Sequence, residues 1–226
     1  GEVVVNAANK INQQVNYGND GLSQQLKVVA RLIAGGLKTP LYLVRLGGFD
    51  THDNQVDSSD HTVGEHAELL KNLNDGIMSF MQDLEFLGID ERVVGMTFSE
   101  FGRRIISNAS LGTDHGSAAP LFVFGNAVRG GVLGNNPVID FNAMYDDNIA
   151  MQYDFRQVYA SVLSQWFDES EQAVDDIMFR KFDQIPIIGE ATITSTSNTF
   201  KPVDIAVFPN PVDENTTIQY QSDGSP

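Results

Sequence analysis

The sequence predicts an α/β domain in which helices flank a central, mainly parallel sheet. Three observations carry that expectation. Short apolar runs alternate with longer stretches whose apolar residues recur at helical spacing. Glycines punctuate the ends of these segments, at Gly35-Gly36, Gly47-Gly48, Gly88 and Gly125. The chain has 226 residues of which 42% are hydrophobic, enough to bury a core without disulfides or metals. Strands separated by helices pair in parallel, because the chain needs a crossover to return to the same edge.

The elements follow in order. Leu22 to Ile33 has apolar residues at Leu26, Val29, Ala30 and Ile33, the stripe of an amphipathic helix that stops at Gly35. Leu41 to Leu46 (LYLVRL) follows Pro40 and reads as a buried strand. His66 to Leu87 places Leu70, Leu73, Ile77, Phe80, Leu84 and Leu87 on one stripe and reads as a long helix. Arg92 to Phe98 and Leu121 to Phe124 read as two further strands. Asp154 to Phe167 reads as a helix with Asp154 as its N-cap, since a short carboxylate accepts from the first unpaired N–H groups. Residues 1–190 are thus expected to form the α/β domain. Residues 191–202 are Ser/Thr-rich and read as a linker. Residues 203–226 read as short strands around a Pro-Asn-Pro turn. Two strands do not make an independent domain, so this piece is expected to be the start of a longer β-sandwich.

Composition excludes several function classes. With no cysteine there is no thiolate zinc site, iron–sulfur cluster or Cys nucleophile. A net charge of −16 argues against a nucleic-acid surface, which needs cations to meet phosphates. No apolar run is long enough to span a membrane. Phosphate-loop, dinucleotide and nucleophile-elbow motifs are missing. The loop from Asp53 lacks the glycine and the final glutamate of a calcium loop. The charge is uneven: residues 46–90 hold ten acids against one lysine.

In an α/β sheet, ligands sit beyond the carboxyl ends of strands. The segments expected there are Gly47-Gly48-Phe49-Asp50-Thr51-His52-Asp53, Ser99-Glu100-Phe101-Gly102-Arg103-Arg104 and Gly112-Thr113-Asp114-His115-Gly116. Imidazole and carboxylate are the ligands that zinc or manganese takes when thiolate is missing. Asp50, His52 and His115 are therefore the candidate metal ligands, with Glu100 fourth and Asp114 as a ligand or a partner of one. Arg103 is the candidate to hold an anionic ester by bidentate hydrogen bonds. A divalent metal there would polarise a phosphate or sulfate ester and orient a water. His61 and His66 read as solvated or supporting residues.

In order, GGFDTHDNQ, a long helix beginning near His66, VVGMTFSEFGRR, GTDHGSAAPLFVFGNAVRGGVLG and DFRQVYASVLSQWF resemble the "domain of unknown function 1501" family. The likeness covers about residues 20–170, and through that family the chain resembles the alkaline phosphatase superfamily. It implies a three-layer sandwich with a mainly parallel sheet, of which this chain is the C-terminal portion. It also implies a secreted, metal-dependent phosphate- or sulfate-ester hydrolase-like protein. Asp50 and His52 are similar to an Asp/His pair that the superfamily's mutases carry after one strand, and His115 to their late metal-binding His. Where those enzymes have Asp-His-Gly, this chain has Glu100-Phe101-Gly102. That departure supports an alternative: a surface binding or adhesion protein that keeps the fold without catalysis.

VFPNPVDENTTIQY resembles the opening of the type IX secretion sorting domain of Bacteroidetes. The resemblance implies the secretion machinery as a partner and export through the periplasm to the cell surface or medium. For the α/β domain, a small anionic ester or a polysaccharide is the expected substrate.

Overall fold

The computed structural model describes residues 14–189, together with the backbone of two later strands, Ile205–Phe208 and Thr217–Tyr220. The expected linker at 191–202 lies outside the described residues. Chain contacts gather the rest into two units. The first takes Gly1–Thr51, Glu65–Phe98 and Leu121–Val128, and the second takes His52–Gly64, Ser99–Pro120 and Arg129–Pro226.

The first unit is built on two helices, α1 (Gly21–Ala34) and α2 (Glu65–Phe86). Asp20 caps α1, its carboxylate accepting from the Ser23 N–H at 2.9 Å. Leu22, Leu26, Ala30 and Ile33 of α1 meet Phe80 and Leu84 of α2 in one apolar cluster. Gly76 lets the helices approach: a Cβ there would lie 3.3 Å from a Leu22 methyl, closer than packing comfortably allows. A 3-10 turn (Asp90–Arg92) follows α2, then β1 (Gly95–Met96), which pairs antiparallel with β4 (Val123–Phe124). Gly95 faces Phe124, whose ring fills the place of a side chain at 95.

The expected strand at Leu41–Leu46 joins no ladder among the described residues. It is half-buried rather than buried. Tyr42, Val44 and Leu46 pack on the helical core, while Leu41 and Leu43 are 72% and 80% exposed. A side chain takes the place of a neighbouring strand: the Gln25 amide accepts from the Arg45 N–H at 3.0 Å and donates to its carbonyl at 2.9 Å.

The second unit centres on a hairpin of β2 (Gly102–Ser107) and β3 (Thr113–Gly116), with Arg103 opposite His115 and Gly102 opposite Gly116. Asn108 shapes its turn, accepting through Oδ1 from the N–H groups of Ser110 (2.9 Å) and Gly112 (3.2 Å). Both strands fall where the sequence predicts strand-end loops. In the same unit, α3 (Phe155–Gln165) starts at Asp154 as expected, in a capping box with Gln157. The helix α4 (Glu171–Met178), capped by Ser170, was not foreseen. Ala160, Val174 and Phe182 form this unit's small apolar cluster.

The two later strands, β5 (Ile205–Phe208) and β6 (Thr217–Tyr220), pair antiparallel in continuous register on either side of the Pro-Asn-Pro segment. The chain is therefore a mixed α/β protein whose ladders among the described residues are small, two-stranded and antiparallel. The parallel order expected from alternating elements is not formed there. Segments that sequence reading assigned to loops became hairpin strands, and one predicted strand found a glutamine side chain in place of a neighbour.

Candidate metal-binding hairpin

The hairpin brings together the residues with the most chemistry. His115 projects from β3, and Phe101, just ahead of β2, lies flat against it with ring centroids 3.8 Å apart and planes 8° from parallel. His52 approaches the same imidazole, with centroids 4.8 Å apart. Nitrogen donor atoms of the two histidines lie within 4.8 Å of one another. Both residues are exposed, so a small ion reaches them from solvent.

His52 is held in place from two sides. Its carbonyl accepts from the Asn108 side-chain amide at 2.7 Å, which anchors the backbone to the hairpin turn. Its Nδ1 sits 2.9 Å from Asp114 Oδ1. Asp114 is held below the usual carboxylate range by hydrogen bonds from Tyr145 and then His52, so it is ionised at neutral pH. An ionised carboxylate only accepts, so Nδ1 carries a proton, and in the neutral ring the lone pair is then on Nε2. This is the arrangement by which carboxylates orient metal-binding imidazoles. The hydrogen bond that the Tyr145 hydroxyl donates to Asp114 pushes that hydroxyl above its ordinary pKa, and the neighbouring carboxylate charge adds to the shift, because losing the proton would set two anions side by side.

The predicted residues divide clearly. His52, Asp114 and His115 come together in the second unit. Asp50 is exposed and belongs to the first unit's share of the chain. It stands two residues ahead of His52, a covalent tether of about 7 Å. Glu100 is exposed on the segment entering β2 and is not among the converging donors. Arg103, expected in a strand-end loop, lies on β2. Its guanidinium donates to the Thr113 carbonyl at 2.5 Å and covers the Phe101 ring at 5.1 Å. His66 opens α2 and packs edge-on against Phe49.

Much of the acidic loop satisfies its own backbone. Asp57 accepts from the Ser59 hydroxyl at 2.6 Å and its N–H at 2.7 Å, and Asp60 from the Thr62 hydroxyl at 2.6 Å and its N–H at 2.9 Å; the hydroxyl bonds first, and then the backbone bonds, lower both carboxyl pKa values. These two carboxylates are turn formers.

Sequence reading missed Tyr145 and Asn108. Both lie in irregular segments whose partners are set by tertiary structure, and neither carries a periodic or spacing signal.

No curated protein and no solved structure matches the chain. The family described as "protein of unknown function (DUF1501)" matches residues 11–178, most of its length, and the chain belongs to that family.

Proposed function

We propose that this protein binds a divalent metal, zinc or manganese, through His52 and His115 with Asp50 as the third donor, and acts on a phosphate or sulfate ester. The observation that carries the reading is the pairing of His52 and His115, with Asp114 fixing the tautomer of His52. Two imidazoles and a nearby carboxylate suit zinc, which prefers nitrogen and oxygen donors when thiolate is missing. A bound metal would supply Lewis acidity to an ester oxygen. Asp114 keeps the lone pair of His52 on Nε2. Arg103, opposite His115 in the hairpin, offers a five-donor guanidinium that suits an anionic ester. Phe101 shields one face of His115.

Kinship with the alkaline phosphatase superfamily, and with its layered parallel sheet, belongs to the same proposal. Its support is the order of motifs from Asp50-Thr51-His52 to Asp114-His115-Gly116. Export to the cell surface or medium is proposed from the likeness of the VFPNPVDENTTIQY segment to a secretion sorting domain.

Phe101 stacked on His115 favours a second reading, a surface-binding protein without turnover. One experiment separates the readings. The protein, loaded with Zn²⁺ or Mn²⁺, is assayed against aryl phosphates and aryl sulfates, and its metal content is measured for the parent and His115→Ala. Metal that falls with His115→Ala, together with chelator-sensitive turnover, supports the hydrolase. Bound metal with no turnover supports the binder. Unchanged metal in His115→Ala, or none in the parent, overturns the ligand assignment.

A further inference from the structure

We propose that Tyr145 is a positioning residue that acts through Asp114 to fix the orientation and tautomer of His52. The inference rests on the donor role proposed for His52 and adds to it the residue that holds its carboxylate partner. Three observations carry it. First, the two oxygens of Asp114 are divided: Oδ1 faces His52 Nδ1 at 2.9 Å, and Oδ2 accepts from the Tyr145 hydroxyl. A carboxylate held at one oxygen swings about its Cβ–Cγ bond, and a second donor on the other oxygen stops that rotation. Second, Tyr145 is itself fastened. Arg104 of β2 donates to the Tyr145 carbonyl at 3.0 Å, lies over its ring at 5.2 Å, and is paired with Asp146. Third, the same Arg104 donates through Nε to the His115 carbonyl at 3.1 Å. One guanidinium thus ties the segment bearing Tyr145 to the strand bearing His115. Asn148 adds a second fastening, accepting from the Ser117 N–H at 3.0 Å.

The chain Tyr145–Asp114–His52 is therefore a relay of hydrogen bonds with both ends anchored on the hairpin. Nothing in it needs the tyrosine to touch substrate or metal. Its hydroxyl is exposed to substitution without loss of packing, because Phe keeps the ring beneath Arg104.

The test compares the parent chain with Tyr145→Phe, Asp114→Asn and the double variant. Ring ¹⁵N spectra of the metal-free protein report the His52 tautomer. Zn²⁺ affinity is measured by competition with a chromogenic chelator. Thermal unfolding by circular dichroism checks that Tyr145→Phe still folds. The expected results are a mixed His52 tautomer in Tyr145→Phe and zinc affinity about 3- to 10-fold weaker, less than the roughly 10- to 100-fold expected for Asp114→Asn. The double variant should bind zinc no worse than Asp114→Asn alone, since the tyrosine works only through that carboxylate. An unchanged His52 spectrum in Tyr145→Phe, or losses that simply add, overturns the proposal. If the parent binds no zinc, the metal reading fails, while the spectra still decide the role of Tyr145.

Discussion

The two units of this chain use side chains in opposite ways. In the first, α1 and α2 interlock through Leu22, Leu26, Ala30, Ile33, Phe80 and Leu84, and the prominent long-range polar bonds serve packing. Tyr17 donates to Asp83 at 3.0 Å, and burial pushes the tyrosine's pKa up. Gln25 stands in for a strand neighbour of Arg45. In the second unit, the hairpin is held by Asn108, Arg103, Arg104, Asp114 and Tyr145, all exposed or half-buried. Its apolar cluster is smaller and lies among the later helices. Stability is thus concentrated where there is little chemistry, and chemistry where there is little apolar burial. A polar site of this kind is positioned by hydrogen bonds whose net contribution is about 1 kcal/mol each, so it depends on many of them acting together.

Substitutions that strike one unit and spare the other sharpen this contrast. The largest expected effect is Leu84→Ala, at a side chain with 0% exposure in the first unit. It should cost about 2–5 kcal/mol in urea unfolding followed by far-UV circular dichroism. The zinc affinity of the folded protein should stay unchanged. A parallel loss of zinc would erase the division between the units.

Gly102→Ala comes next. A Cβ at 102 would sit 1.8 Å from the Ala118 carbonyl oxygen, so the backbone of the hairpin has to shift. A cost of about 1–3 kcal/mol is expected, accompanied here by weaker zinc binding, because β2 positions β3 and His115. Normal zinc affinity in Gly102→Ala would show that the site does not depend on the hairpin.

Asp154→Ala removes the α3 cap and should cost about 1 kcal/mol. The cost is read from the fluorescence of Trp166, the one tryptophan, at the end of α3. The effect carries a pH signature. Arg156 beside Asp154 holds its carboxyl at about 2, below the ordinary 3.8. The folded pKa is the lower one, so this contribution is complete above the unfolded value and is lost as pH falls toward about 2. Parent and variant should therefore converge in stability in acid. A gap that persists at the lowest pH would point to lost packing.

The smallest effect is expected from His115→Ala in metal-free protein, about 0.5 kcal/mol or less in the same urea assay, as for other exposed positions. A larger loss would mean that the Phe101–His115 stack holds the hairpin together.

The helices were legible in the sequence and much of the sheet was not. Apolar spacing marked α1 and α2 to within a residue or two, and Asp154 announced the start of α3. Those signals are local, carried within a turn or two of helix. Strand partners are chosen by tertiary structure. Ser99 to Arg104 holds glycine, two arginines and a glutamate, and resembles a loop until β3 pairs with it. The helix α4 is only eight residues long, too short for its period to stand out. At the site, residue types and glycine neighbours singled out Asp50, His52, Asp114 and His115. Tyr145 lies 31 residues from Asp114 in an irregular segment, and only the folded chain brings them together.

Zinc-edge X-ray absorption on the zinc-loaded chain tests the central claim most directly, because it counts imidazole ligands at the metal. The parent should show two imidazole nitrogens with oxygen completing the shell. His52→Ala and His115→Ala should each show one fewer. A parent spectrum with oxygen ligands alone, or one unchanged by either substitution, would contradict the assignment of His52 and His115 as the metal-binding pair.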